Sequence, residues 1–374
     1  MSNLQYSVIE HFPVELWREV FDYFNLYELW FSFCGLNDRI DEILIQTTLH
    51  IKFEKDDIAS YFMKNVLSRL NVTNIQSLKL RDHNVIKNFF SIYSLGSLVQ
   101  LRLLSLTFMY PFIDNSFTFW NQLASLKYLK SLKFALYGDL DYDNSMEVKE
   151  FIICSIFNKD FCPLLKRLTI ETNGRIRYVS KPSLITTTKT TNIEYVSLDS
   201  LSFNDLIKLL PALQNVKSFR IYYELSHYNE SNEQQQKMTT TISLMPRCTR
   251  LHLKLSNEIM LGHVEYILKH TPNIKDLFLW GWCHLLDAKK WESLLLIYCP
   301  KLLKLEFLYT GSDRDDDFVK AVRTFRQDCA TIRFWIERNV TIADDKVYHW
   351  DEHLDCIIVK FNIQKNESLE KTHR

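Results

Sequence analysis

The sequence IKDLFL at residues 274–279 shows a spacing that recurs along the middle of the chain. Each copy has an apolar residue, once a cysteine, at its first, fourth and sixth places. The fourth and sixth places alternate around one variable residue, which predicts a β-strand with one buried face. The other copies are IQSLKL (75–80), LVQLRL (98–103), LKSLKF (129–134), LKRLTI (165–170), IEYVSL (193–198), VKSFRI (216–221), CTRLHL (248–253) and LLKLEF (302–307).

Proline has a regular place ahead of these strands. Four prolines stand two residues before the first apolar place, and a fifth stands three residues further upstream. They are Pro163, Pro246, Pro272 and Pro300, and then Pro211. Stretches with helical spacing come before them, such as EIMLGHVEYILKHTP (258–272) and DAKKWESLLLIYCP (287–300). Because proline disfavours the helical conformation in the preceding residue, the predicted unit is strand, loop, helix, proline, strand.

The stretch at 287–300 illustrates the predicted helix. One face carries large apolar side chains, and an aspartate precedes the first turn, where its carboxylate can accept a backbone hydrogen bond. The apolar face consists of Trp291, Leu294, Leu295 and Tyr298, and the capping residue is Asp287. Such a helix can pack its apolar face against the buried side of the predicted sheet.

The recurring pattern resembles the leucine-rich repeat, in which L-x-x-L-x-L returns every 20–30 residues or so. The resemblance extends over about residues 50–310, and the Cys-Pro pairs at 162–163 and 299–300 are similar to the cysteine-containing subclass. It implies an α/β solenoid with a curved parallel sheet inside, helices outside and a C-terminal cap at 311–363. A doubly wound sheet is the rival fold, but the chain has only 7 glycines and no glycine-rich phosphate loop at a strand end.

Composition restricts the classes of function. Lysine plus arginine and aspartate plus glutamate number 45 each, which argues against general nucleic-acid binding because that requires a basic surface. No run of about 18 apolar residues predicts a membrane span, and no secretory signal is visible. The eight cysteines lack CxxC spacing, so we expect reduced, mostly buried thiols in a cytoplasmic or nuclear protein.

Polar stretches interrupt the pattern. Residues 177–191 and 227–241 are rich in threonine or glutamine and are interpreted as insertions or long loops. The sequence GSDRDDD at 311–317 lacks the glycine and terminal glutamate of a calcium-binding EF-hand loop. It is interpreted as the solvated start of a last helix, and residues 364–374 as a disordered tail.

The N-terminal stretch HFPVELWREVFDYF at 11–24 predicts a helix over Val14–Phe24 that begins after Pro13. Its apolar stripe is wide, and two further short helices over 26–33 and 37–46 are also apolar. About 35 residues cannot bury so many large side chains among themselves, so part of them should form an exposed patch. Exposed apolar patches usually mark interfaces.

The sequence FPVELWREVFDYFNLYELWFSFCGLNDRI at 12–40 resembles the F-box, and residues 8–49 are assigned to it. The family pattern is leucine-proline-x-glutamate, an apolar pair, isoleucine-phenylalanine, and a leucine after an acidic residue. Phe12 replaces the first leucine and Glu28 replaces the aspartate, whereas the apolar positions are kept. The matching apolar positions are Phe12, Pro13, Leu16, Trp17, Val20, Phe21, Phe24, Leu29 and Phe33.

The resemblance implies a substrate receptor of an SCF-type ubiquitin ligase. Its F-box residues would dock on a Skp-family adaptor that bridges to cullin, and its repeats would hold a target protein. The chemistry would take place on other chains, without a cofactor on this one. The alternatives are a free-standing leucine-rich scaffold or inhibitor, in which the N-terminal helices only cap the solenoid, and an enzyme on a degenerate α/β sheet.

The sequence contains none of the GxSxG, P-loop, HExxH or CxxC motifs. In a solenoid the outward strand positions line the concave sheet, which is the usual binding surface. They should be basic at one end and aromatic at the other, which suits a partner with an acidic segment. These positions are Lys79, Arg81, Arg102, Lys133, Arg167, Tyr222, Arg250, His252, Lys254, Phe278, Trp280 and Glu306.

Overall fold

The computed structural model describes residues 12–54, 56–108, 122–136, 156–157, 161–172, 190–227, 245–311, 316–349 and 352–362. The chain divides into two compact units, Met1–Ile176 and Arg177–Arg374. The predicted loops at 177–191 and 227–241, the turn at 311–317 and the tail at 364–374 lie largely or wholly outside the described residues. No described helix has the length and apolar character needed to cross a membrane.

The first unit begins with three short helices, α1 (Val14–Phe21), α2 (Leu26–Phe33) and α3 (Asp38–Gln46). The first helix is three residues shorter than predicted, because Asn25 starts the next helix with a capping box. The backbone N–H of Glu28 donates to Asn25 Oδ1 at 3.1 Å, and the N–H of Asn25 donates to the Glu28 carboxylate at 2.8 Å. Asn37 caps α3 by accepting from the N–H of Ile40.

The rest of this unit alternates strands with helices or single 3₁₀ turns. The strands are β1 (Leu49–Phe53), β2 (Ile75–Arg81), β3 (Leu103–Phe108), β4 (Ser131–Leu136) and β5 (Arg167–Thr172). They pair in sequence order, and every pair is parallel. The helices are α4 (Asp56–Asn65) and α5 (His83–Ile92), and the 3₁₀ turns are Leu67–Arg69, Val72–Asn74, Leu95–Ser97 and Leu123–Ser125.

One predicted strand was placed in the wrong register. LVQLRL at 98–103 put the fourth apolar place at Leu101, whereas the residue that pairs with Leu78 and Leu132 is Leu104. The repeat is therefore LRLLSL at 101–106, in which Leu101, Leu104 and Leu106 are buried. The strands β2, β3 and β4 are then 26 and 28 residues apart, a more regular spacing than the predicted 23 and 31.

The described residues of the second unit form seven strands. They are β6 (Tyr195–Ser202), β7 (Ser218–Ser226), β8 (Arg250–Leu255), β9 (Asp276–Trp282), β10 (Lys304–Gly311), β11 (Thr341–His349) and β12 (Glu352–Asn362). Strands β6 to β10 are parallel neighbours in sequence order. The last strand, β12, pairs antiparallel with both β10 and β11, so the C-terminal hairpin covers the edge of β10.

Described helices precede β7, β9, β10 and β11, and two of them lie in the predicted helical stretches at 258–272 and 287–300. The helices are α6 (Phe203–Leu209), α7 (Leu261–Lys269), α8 (Ala288–Tyr298), α9 (Asp316–Thr331) and α10 (Arg333–Glu337), with 3₁₀ turns at Leu210–Leu213 and Cys283–Leu285. In α8 the carboxylate of Asp287 accepts from the N–H of Lys290 at 3.0 Å, which confirms the predicted cap. Trp291 is buried, and its indole N–H donates to the Leu285 carbonyl at 2.8 Å. Each unit is thus an α/β arrangement built on parallel strands.

Candidate functional site

The N-terminal bundle, defined as α1, α2 and α3, buries more of its own apolar side chains than predicted. Its core consists of Trp17, Phe21, Leu29, Ile40, Ile43 and Leu44. The half-buried ring of Phe33 lies 5.9 Å from Trp17 and 5.0 Å from Phe21, centroid to centroid. Trp17, Phe21 and Leu29, which were predicted to dock, are buried in this core by α3 and by the aromatic contacts.

Of the residues predicted to dock, those that stay accessible are Phe12, Pro13 and Leu16 at the start of α1, and these three define the bundle surface. Phe12 is 37% exposed and Leu16 is 44% exposed. Val20, Phe24 and Phe33, which were also predicted to dock, are half-buried against the core. The structure adds Tyr23, which is 88% exposed just after α1 and was not predicted.

Trp17 connects the bundle core to the bundle surface. Its indole ring lies 6.2 Å from the ring of Phe12. The residue is only 4% exposed, and its Nε1 has no hydrogen-bond acceptor among the described residues. A buried donor without an acceptor costs about 1–3 kcal/mol, so an acceptor brought to this position would be stabilising.

A second aromatic cluster lies between α2 and α4. The rings of Tyr27 and Phe31 are 4.6 Å apart, and they pack 5.6 and 5.8 Å from the buried ring of Phe62. Tyr61 flanks Phe62 at 5.8 Å, and Tyr27, Phe31 and Tyr61 are all exposed. The sequence did not predict this cluster, because the contact of α2 with Phe62 is a tertiary contact that helical spacing does not contain.

In the first unit the predicted basic positions do not form one row. Lys79 pairs in register with Lys52 and Ser105, and Ser105 pairs in turn with Lys133. Arg102 precedes β3 and therefore falls outside this row, as a consequence of the shifted register. Lys133 forms an ion pair with Glu171 at 2.7 Å, so part of the predicted positive charge is neutralised. The predicted arginines Arg81 and Arg167 are exposed.

In the second unit the outward residues of β7 to β10 form the sheet face, arranged in cross-strand rows. Arg220, His252, Phe278 and Glu306 are direct neighbours in one row, which continues to Lys360 on β12. The imidazole of His252 stacks on the ring of Phe278 with centroids 3.9 Å apart and planes 18° apart. Burial, and then the charge of Arg220, lower the pKa of His252 to about 4, so its imidazole is neutral at physiological pH.

The adjoining row carries a cation–π contact. Lys254 pairs in register with Trp280, and its ammonium lies 3.8 Å from the centre of the indole ring. The ring of Tyr223 lies 5.4 Å from the same ammonium. Burial lowers the pKa of Lys254, and the nearby carboxylate of Glu224 opposes that shift. The predicted aromatic anchor Trp280 is thus already occupied by a lysine of its own chain.

A depression of about 210 Å³ lies on the sheet face over the His252–Phe278 stack. Its charged lining consists of Arg220, Arg250, Asp276, Lys304 and Glu306. The structure thus brings three of the predicted face positions, His252, Phe278 and Arg250, to one depression. Tyr222 is half-buried, and the Arg220 guanidinium lies 5.7 Å from its ring centre.

Arg220 was missed, although the sequence carried the signal for it. It occupies the fifth place of VKSFRI, as His252 does in CTRLHL and Phe278 does in IKDLFL. Tyr222, which lies two residues after Arg220, was predicted to face the ligand because it is aromatic. Position in the repeat is therefore a better guide to this face than residue type.

Metal ligands and reactive thiols are two kinds of group that could form an active site. The described residues contain no group of three or more histidine, cysteine, aspartate or glutamate side chains that could hold a metal ion. The seven described cysteines form no disulfide, and five of them are buried, as predicted. Burial raises the pKa of Cys162 and Cys299 to about 12, which disfavours the nucleophilic thiolate. No family model matches the chain, and no curated protein matches it.

Proposed function

We propose that the chain is a non-catalytic substrate receptor of an SCF-type ubiquitin ligase. In this proposal the N-terminal bundle is an F-box that docks on a Skp-family adaptor, and through it on cullin. The strand–helix units are leucine-rich repeats, and their outward strand positions hold the target protein. The observation that carries the proposal is the bundle surface, an exposed apolar group on a bundle whose own core is already filled.

The bundle surface supports docking because no side chain in it is needed for the bundle core. Phe12, Pro13 and Leu16 lie at the start of one helix, where they can enter a partner together. Burying the exposed parts of Phe12 and Leu16 would contribute on the order of 2 kcal/mol before association costs.

Capture by a purified Skp-family adaptor tests this proposal. The intact chain should bind, and Leu16→Asp should abolish binding because a carboxylate would then be buried in an apolar contact. The matched control is Ile92→Asp, since Ile92 is also exposed but lies on α5. Both variants should unfold at the wild-type temperature, because neither side chain is in the core. Failure of the intact, folded chain to bind the adaptor would overturn the proposal.

The second candidate is a free-standing leucine-rich scaffold that never meets cullin. The observation in its favour is that α2 packs against β1, so the bundle can serve simply as the N-terminal cap of the first strand. In that case Leu16→Asp and Ile92→Asp would behave alike in every binding assay. The adaptor capture therefore distinguishes the two candidates.

A further inference from the structure

The depression on the sheet face carries positive charge that the described residues leave uncompensated. Neither Arg220 nor Arg250 forms an ion pair with a described carboxylate. Glu306 is held by Lys360 at 2.9 Å, and it is therefore neutralised. Asp276 is the remaining acid of the lining, and it lies in register between Arg250 and Lys304, so one carboxylate faces two cations.

The cations are spread out, and their spacing indicates the shape of a ligand. Arg220, Arg250 and Lys304 stand on β7, β8 and β10. With roughly 4.8 Å between neighbouring strands, they extend over about 14 Å along the hydrogen-bonding direction of the sheet. A single small anion cannot contact all three, whereas an extended chain with several carboxylates can. Arginine is suited to this role because its guanidinium binds a carboxylate with two parallel hydrogen bonds.

The floor of the depression is aromatic. It is formed by the stacked rings of His252 and Phe278, and the cations stand around it. The methylene groups of an acidic side chain can lie on these rings while its carboxylate reaches a guanidinium. Lys254, already placed on Trp280, stays outside this arrangement.

We propose that the sheet face binds an aspartate- or glutamate-rich segment of a partner protein, whose carboxylates contact Arg220, Arg250 and Lys304. The identification of that partner as the ubiquitination target rests on the proposed function. The binding of an acidic segment does not rest on the proposed function, because none of these three residues belongs to the N-terminal bundle. This binding requires no contact from the basic residues of the first unit that were predicted to bind the partner.

Fluorescence anisotropy of the full chain with a labelled oligo-glutamate peptide tests this assignment. Arg220→Gln and Arg250→Gln should each weaken binding about tenfold, the loss expected for one charge-assisted contact. Arg247→Gln is the matched control, because Arg247 is an exposed arginine just before β8 that does not line the depression. It should change the affinity less than twofold, and labelled oligo-glutamine should not bind.

Three results would overturn the assignment. The first is no binding of oligo-glutamate by the folded chain. The second is an equal loss in all three arginine variants, which would indicate general attraction between charges. The third is tighter binding of a phosphoserine peptide, which would assign the depression to phosphoryl groups. Leu16→Asp should keep full peptide affinity, so failure of the adaptor proposal and failure of this inference are distinguishable.

Discussion

His252 and Phe278 lie ring on ring across two parallel strands, with centroids 3.9 Å apart and an interplanar angle of 18°. The stack withdraws the imidazole from water, and Arg220 occupies the neighbouring place in the same row. Both effects disfavour a second positive charge. Protonation of His252 is therefore less favourable in the folded chain, where its ring is stacked on Phe278, than in the unfolded chain.

This difference predicts an acid-sensitive contribution to stability. The pKa of His252 falls from 6.5 to about 4 on folding, so between these values the unfolded chain binds a proton that the folded chain does not. The free energy of unfolding should decrease as the pH falls through this window. His252→Gln should reduce that decrease by about 1 kcal/mol, a value discounted because the ring is partly accessible.

Urea unfolding of both proteins at neutral pH and near pH 4 measures the difference. Arg220→Gln provides the complementary test, since removing the guanidinium should raise the pKa of His252 in an NMR titration. An unchanged pKa in that variant would contradict the assigned role of Arg220. His263, whose pKa is lowered by burial and by His227, should titrate identically in wild type and variant.

The two glycines Gly311 and Gly262 should respond oppositely to alanine. A Cβ atom at Gly311, the last residue of β10, would clash with the ring of Phe318. Gly311→Ala should therefore cost about 1–3 kcal/mol of unfolding free energy. A Cβ atom at Gly262, in the first turn of α7, would meet nothing within 4 Å.

Gly262→Ala should accordingly stabilise the protein by up to about 1 kcal/mol, because alanine loses less backbone entropy in a helix. Thermal unfolding of the two variants beside wild type checks both signs. Equal effects of the two substitutions would show that the contact between Gly311 and Phe318 does not limit packing there.

The rate at which each cysteine is alkylated should decrease with the burial of its thiol. Cys34 and Cys283 are half-buried, whereas burial raises the pKa of Cys248 and Cys329 to about 12. Because the thiolate is the reactive form, the two half-buried thiols should be alkylated first in the native protein. Peptide mapping after brief maleimide treatment, with Cys154→Ser as background, gives the order.

The strands were predictable because their signal is local. Alternation at Leu277 and Leu279 reports a buried face without knowledge of any partner strand. The same property caused the register error, since leucines at 98, 101, 103, 104 and 106 satisfy the pattern in two ways. Only pairing with the neighbouring strands, which is a long-range interaction, selects Leu104.

Which apolar side chains of the bundle stay exposed was harder to predict, for a related reason. On α1 the stripe of Leu16, Trp17, Val20 and Phe21 is wide enough to face either a partner or the rest of the bundle. The choice depends on where α3 lies, and this is a tertiary fact that helical spacing does not contain. The side chain of Leu16 is exposed to solvent, whereas those of Trp17 and Phe21 are buried in the bundle core.

Strand β12, which pairs antiparallel with β10, limits where further strand–helix units could be added to this chain. A parallel array that ends in an open strand offers its unpaired backbone groups to the next repeat, or to a neighbouring molecule. Here β12 takes those groups, and the outermost strand is β11, in which Asp344 pairs with Arg326. A strand–helix unit added after β10 would therefore have to displace β12 from the edge of β10.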